Sequence, residues 1–374
     1  MSASGKFKVV IVGGGSAALE AAFRLQRVAG DAVETTILAP DDHFTTHAMA
    51  VLVPFTAGHV PKEPLARMAS DAGATLLRGR MASVDTAAHQ AVTEDGEGLS
   101  YDALLIAVGA VQRLPYRYGI AFGAPGTEEA VHGLVQDLEA GAVRRLGFVV
   151  PPEATWPVPL YELALMAVDR AYEQYQLCET ILVTHEPAPL ALFGPEASRV
   201  MAQRLEEAGI EVRTGVRADV RRNGVIGLGP VGERVTVGRV VTLPVVDGPA
   251  LEGLPHDARG FLPVDEHGRV DGVADVYAAG DVTNHPIKQG GLACQQADAA
   301  AEAIAAHAGV AITPEPYAAE LQGVVMTGHG AVIMSPEGGV AQVARMRSEG
   351  GLWWPPLKIA GRELVAHVAD LRTT

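Results

Sequence analysis

At 374 residues the chain exceeds what one hydrophobic core normally serves, so two or three compact units are expected, and its 48% hydrophobic share is that of a globular protein. The excess of 44 Asp+Glu over 29 Lys+Arg gives a net charge of -15, which excludes nucleic acid and anionic lipid surfaces as general partners. Cys178 and Cys294 lie too far apart for a CxxC motif or a paired-cysteine zinc site, there is no apolar run long enough to span a membrane, and Met1 to Lys8 lacks the apolar core of a signal peptide, so a cytoplasmic location is expected.

In chain order, the β-branched run Lys6 to Val12, the Ala-rich stretch Ala17 to Ala29 and the run Val33 to Leu38 predict a strand-helix-strand start. Asp41 to Pro64, with its prolines and histidines and no clean period, reads as an excursion. His43 and His47 have an i,i+4 spacing in it, but no third ligand is spaced with them, and no metal is expected. Arg67 to Asp71 resumes a helical pattern, Thr75 to Leu77 and Met81 to Val84 look like strands, and Tyr101 to Val108 is a buried strand ending at Gly109. A new unit begins near Pro115, with strands Leu146 to Val150, Thr180 to Val183 and Glu211 to Arg213 alternating with helices Leu160 to Gln176 and Glu196 to Ala208. Such alternation implies a parallel sheet covered on both faces. Arg239 to Leu243 and Val276 to Ala279 are further strands, and an Ala-rich helix runs from about Gly290 to Ala308. The glycine-rich tail leads through Trp353-Trp354-Pro355-Pro356 to a last helix whose face carries Leu357, Ala360, Leu364, Val368 and Leu371. That pair and helix have three readings: core or homodimer packing, a lid, or an interfacial membrane contact.

Gly13-x-Gly15-x-x-Ala18 follows a strand and opens a helix, the setting in which this pattern means dinucleotide binding. Gly13 permits the tight turn, Gly15 lets backbone approach a pyrophosphate, and Ala18 lets helix and strand pack closely; the helix start, Ser16 and Ala17, turns N–H donors to the phosphates. The acidic ribose partner expected after the second strand is missing: the strand ends Ala39-Pro40, and Asp41 is the nearest carboxylate. The motif alone does not decide which cofactor binds.

Tyr101 to Gly109 and Val276-Tyr277-Ala278-Ala279-Gly280-Asp281 resemble the second and third FAD signatures of the glutathione-reductase-like flavoproteins. Together with the glycine motif they imply an α/β fold of two Rossmann-like dinucleotide-binding domains: an FAD domain of residues 1–114 and 245–315, a second unit of 115–244, and a C-terminal segment of 316–374. The resemblance implies that FAD is held by Gly13 to Ala18, by Ala39, Pro40 and Met81, by Ala107, Val108 and Gly109, and by Gly280 and Asp281, with the Asp281 carboxylate on the ribityl chain.

Within that superfamily, Pro159-Leu160-Tyr161-Glu162-Leu163-Ala164-Leu165 and Pro286-Ile287-Lys288-Gln289-Gly290-Gly291 are most similar to the sulfide:quinone oxidoreductases, the flavoprotein of flavocytochrome c sulfide dehydrogenase and the type II NADH dehydrogenases. The resemblance implies that the helix opening at Lys288, Gln289 and Gly290 points at the pyrimidine end of the isoalloxazine, where a lysine and helix N–H groups raise electron affinity, and that His47 approaches the flavin. Two departures limit it. Trp156 stands where a redox cysteine of the sulfide enzymes is expected, and Val149 to Pro157 carries prolines, which lack an N–H, where the NADH enzymes have a second glycine motif. The expectation is an FAD-dependent oxidoreductase joining a small-molecule donor to an acceptor, a quinone being the leading candidate. The alternatives are an NAD(P)H-dependent reductase and a flavin-binding sensor or assembly protein without turnover. Cys294, one turn into the Lys288 helix, either faces the flavin or is a buried structural thiol.

Overall fold

The computed structural model describes residues 5–56, 60–230, 232–328, 330–336, 339–343, 358–359 and 361–373. Strand β1 (Phe7–Val12), helix α1 (Ser16–Val28) and strand β2 (Val33–Ala39) form the expected opening unit, and β3 (Thr75–Arg78) and β4 (Ala103–Ile106) pair in parallel with it. Every residue of β4 and the last four of β1 are buried, which is why these strands read as unbroken apolar runs rather than alternating ones. A second sheet follows, from β5 (Ile120–Ala121), helix α2 (Glu128–Glu139), β6 (Arg145–Val149), helix α3 (Val158–Glu173), β7 (Glu179–Val183), β8 (Ile210–Arg213) and β9 (Arg239–Thr242). Its spatial order is β5-β9-β6-β7-β8 with every pairing parallel.

The chain then returns to the first sheet. There β10 (Val276–Ala278) pairs with β4 to give the order β10-β4-β1-β2-β3. Helix α4 (Gly290–His307) packs on α1 through alanines on both sides, among them Ala18, Ala21, Ala297 and Ala301. Short side chains let the two backbones approach closely, and all of 291–305 except Gln295 is buried. Helix α5 (Leu364–Thr373) buries Leu364, Val365 and Val368 in the same core.

Strict strand-helix alternation does not hold throughout. Three antiparallel meanders interrupt it: Met81–Asp85 with Gln90–Thr93 and Gly98–Ser100, Ala218–Arg222 with Val225–Leu228 and Glu233–Thr236, and Gly323–Thr327 with Gly330–Ser335 and Gly339–Val343. Antiparallel strands need only a tight turn between them, such as the one Gly224 makes at φ +71°, so no crossover helix separates them. The Asp41 to Pro64 excursion is also more ordered than its sequence suggests: His43–Thr45 pairs with Lys62–Pro64, and His47–Phe55 forms a 3-10 helix. Trp353, Trp354, Leu357 and Ala360 lie outside the described residues. Among those described, no helix is long and apolar enough to cross a membrane.

Candidate functional site

The fold brings the three sequence-distant signatures to one edge of the first sheet. Gly13 donates its N–H to Leu38 O at 2.9 Å, Ala107 to Val12 O at 2.8 Å and Ala279 to Ile106 O at 3.0 Å, so the ends of β1, β2, β4 and β10 are stitched side by side. Gly13, at φ +130°, has no room for a side chain: a Cβ would sit 2.2 Å from Ala107 O. Gly280, at φ +83°, comes within 3.2 Å of Ala17 Cβ and 3.3 Å of Ala293 Cβ on the same measure.

Gly15 is different. It precedes the first turn of α1 with ordinary extended backbone, no side chain caps that turn, and nothing lies within 4 Å of where its Cβ would be. No side chain takes the first N–H groups of α1, and the space beside Gly15 is open, an arrangement that suits a phosphate. Ser16 opens the helix, Ala17 and Ala18 are buried beneath it, and Gly109, at φ +76°, is open in the same way as Gly15. Val108 is partly exposed, Ala39 accepts the Gly79 N–H at 3.2 Å, and Pro40 is half-buried beside it. Met81 packs into a separate core around Val84 and Leu38.

A cavity of about 1880 Å³ lies beside this edge, larger than an ordinary small-ligand pocket. Asp281, Lys288 and His47 open onto it, and its apolar wall includes Val53, Pro54, Phe122, Trp156, Leu243 and Pro244. Burial pushes the Asp281 carboxyl above its ordinary value, while Lys288 pulls the other way. Burial brings the Lys288 ammonium down to about 8 against the opposing attraction of Asp281. This ammonium donates to Thr283 O and lies 3.7 Å from the centre of the Phe261 ring. Burial, then Lys62, lowers His47. Gln289 does not line the cavity; it caps α4, its Oε1 accepting the Leu292 N–H at 2.8 Å and its amide donating to Gln322 O at 3.3 Å. The sequence therefore placed Gln289 at the correct helix start, where the side chain is occupied in fixing that start. Gly290 lies against Ile359.

Cys294 is fully buried, 3.9 Å from Ser16 O, and it is the α1 side that it faces; burial, then Glu20 and Asp298, push the thiol well up. Cys178 is half-buried at the start of β7. Sequence reasoning missed Phe261, for which no motif exists, and the tail contacts. Glu20 of α1 accepts N–H bonds from Arg362, Glu363 and Leu364 at 2.7, 2.8 and 2.8 Å, capping α5 from another element. Lys358 forms a buried ion pair with Glu162 of α3.

At the edge of the second sheet, the stretch after β6 turns through an Ala154 N–H to Pro151 O bond of 3.0 Å, and Trp156 sets its ring edge-on to Phe193 at 5.7 Å. Beyond β7, buried Glu186 accepts the Tyr161 hydroxyl at 2.6 Å and that of Thr184 at 2.9 Å.

The sequence pattern of one family, pyridine nucleotide-disulphide oxidoreductase, matches residues 7–147 and 161–304, passing over the stretch that holds Pro151, Pro152, Pro157 and Pro159. An NADH dehydrogenase-like protein of Mycobacterium tuberculosis is 28% identical over 298 residues, spanning 74% of this chain and 72% of its own. The ferredoxin–NAD(+) reductase component of the p-cumate 2,3-dioxygenase system of Pseudomonas putida is 29% identical over 304 residues, 75% and 68% of the two chains. Among solved structures, the sulfide:quinone oxidoreductase of Aquifex aeolicus superposes with a TM-score of 0.80 at 18% identity, covering 90% of this chain and 86% of that one. NDH2 of Plasmodium falciparum in complex with NADH gives 0.71 at 13% identity, covering 91% and 92%. These two structures share the fold.

Proposed function

Because the chain belongs to the pyridine nucleotide-disulphide oxidoreductase family, we propose that it is an FAD-dependent oxidoreductase that takes two electrons from a small-molecule donor and delivers them to a small-molecule acceptor. The observation that carries this reading is that Gly13 lies against Ala107 and Gly280 against Ala17, with open space at Gly15 between Gly13 and Ala17 in the chain, and that Asp281, next to Gly280, opens with Lys288 onto a large cavity. Bound FAD supplies the electron-transfer chemistry. The N–H groups at Gly15 and Ser16 take the pyrophosphate, Gly109 and Val108 lie along the dinucleotide, and Asp281 takes a ribityl hydroxyl. Lys288 and the start of α4, held by its Gln289 cap, offer positive charge where the reduced cofactor is negative. On this reading residues 1–114 with 245–315 form the FAD unit and 115–244 the second unit. The apolar wall and the likeness to the sulfide:quinone oxidoreductase of Aquifex aeolicus favour a quinone as acceptor.

The thiols take no part. Cys294→Ser should keep its FAD and its electron transfer with the true substrates, with about 1–3 kcal/mol of stability lost at most to a buried hydroxyl. Loss of turnover with FAD retained would revive a thiol mechanism.

A second reading, NAD(P)H as donor, is favoured by the names of the relatives. Against it stand the prolines after β6, which remove N–H donors where a glycine turn would take the pyrophosphate. NADH and NADPH are therefore expected to be poor donors. The purified protein should show the visible absorption of oxidised flavin. Anaerobic mixing with each nucleotide and with a panel of other donors then tests the donor, and full bleaching by a nucleotide within about a second, a rate ordinary for enzymes, would make the second reading the first.

A further inference from the structure

The Lys288 side chain has an environment that its motif does not explain. Its ammonium is buried, yet it makes no ion pair among the described residues. What holds it is the Thr283 carbonyl and the face of Phe261, a ring itself 3% exposed and 3.7 Å from the ammonium. The ring is fixed in turn. Leu262 donates to Val282 O at 3.0 Å and Asn284 to Leu262 O at 2.9 Å, which ties the Phe261 strand to the segment leading into Lys288, and the Asp257 carboxylate accepts the Phe261 N–H at 3.0 Å. The Arg259 guanidinium shares the ring at 5.4 Å, held off by Asp247. The ionisable groups that act on the ammonium are Asp281, Arg259 and Asp257.

An aromatic face attracts a cation electrostatically and does so most strongly where water is excluded. We propose that Phe261 is the positioning residue of this site, its ring keeping the Lys288 ammonium both charged and aimed at the cavity beside the start of α4. The proposal rests on the reading above only for the consequence to the cofactor; the Phe261–Lys288 contact can be tested without it.

Phe261→Leu keeps the apolar bulk and removes the ring face, whereas Phe261→Tyr keeps the face. Without the ring the neutral amine is favoured, so the proton affinity of Lys288 should fall about tenfold, the size of a desolvated cation–π contact. Two-dimensional NMR of ε-13C-labelled lysine, with Lys6, Lys8, Lys62 and Lys358 as internal references, reads this in the protein directly. The Lys288 midpoint is expected to move to lower pH in Phe261→Leu and to stay at the parent's value in Phe261→Tyr. In the flavin-loaded protein, the ratio of reduced to oxidised FAD binding should fall up to tenfold in Phe261→Leu, about 30 mV for a two-electron couple, with Phe261→Tyr close to the parent. A Lys288 midpoint unchanged in a folded Phe261→Leu overturns the proposal. A midpoint that shifts while the potential does not would leave the Phe261 contact standing and remove Lys288 from the flavin, and a parent protein without flavin would fail the functional reading alone.

Discussion

Gly15→Val is expected to abolish FAD retention while leaving the apoprotein as stable as the parent, and Gly13→Ala to destabilise the fold itself. The two glycines stand two residues apart in one motif, but the space around them differs. A Cβ at Gly15 meets nothing within 4 Å, and the backbone there is extended, so valine fits the empty site and fills the volume the pyrophosphate needs. Its cost to the fold should be within about 0.5 kcal/mol, with FAD affinity lowered by about a hundredfold or more, ~2.8 kcal/mol. A Cβ at Gly13 meets the Ala107 carbonyl oxygen at 2.2 Å and has to adopt φ +130°, so strain and overpacking together should cost about 2–6 kcal/mol. Urea unfolding of the apo forms and the visible absorbance of the purified forms separate the two effects. Stoichiometric FAD in Gly15→Val would overturn the placement of the cofactor.

Lys358→Ala, in the C-terminal segment, should destabilise the fold strongly. Glu162 is fully buried, and its Oε1 accepts from Lys358 and, at 2.8 Å, from the Met326 N–H. Removing the lysine strands a carboxylate in the interior, which costs about 3–5 kcal/mol. The loss depends on pH. Burial already raises the Glu162 carboxyl above 4.5, and Lys358 opposes that rise. Without the lysine the folded-state value goes higher still, so the variant falls behind the parent only as pH climbs past the parent's own raised folded-state value, and it has little deficit below that. Urea midpoints at about pH 5 and about pH 8, either side of the neutral range, should show a deficit that widens with pH, and Glu162→Gln in the same chain should recover most of it. Equal midpoints at both values would mean that the pair contributes nothing. The segment matters because it spans the molecule: Lys358 holds α3 beside the second sheet, and a few residues on, Glu20 of α1 caps α5 beside the first.

Much of the site was legible because backbone geometry demands particular residues there. A strand that ends in glycine at φ +130° against another strand admits no substitute, and Gly280, at φ +83°, keeps a left-handed backbone that a side chain would strain, so both leave a mark in the sequence. Helix α2 was equally legible and was missed: Val131, Leu134, Val135 and Leu138, all buried, have the spacing of one helical face.

The sequence by itself determined the strand-helix-strand opening, the three signatures and the helix that opens at Lys288, since each depends on local periodicity or on a glycine whose reason is local. Tertiary structure decided what those elements meet. That Cys294 turns toward α1, that Gln289 is spent on a helix cap, that Lys288 rests on Phe261 and that Glu20 caps a helix more than three hundred residues along the chain all depend on contacts between distant segments. A buried charge accepts whatever donor or ring the fold brings within reach, and no residue spacing in the chain encodes that choice.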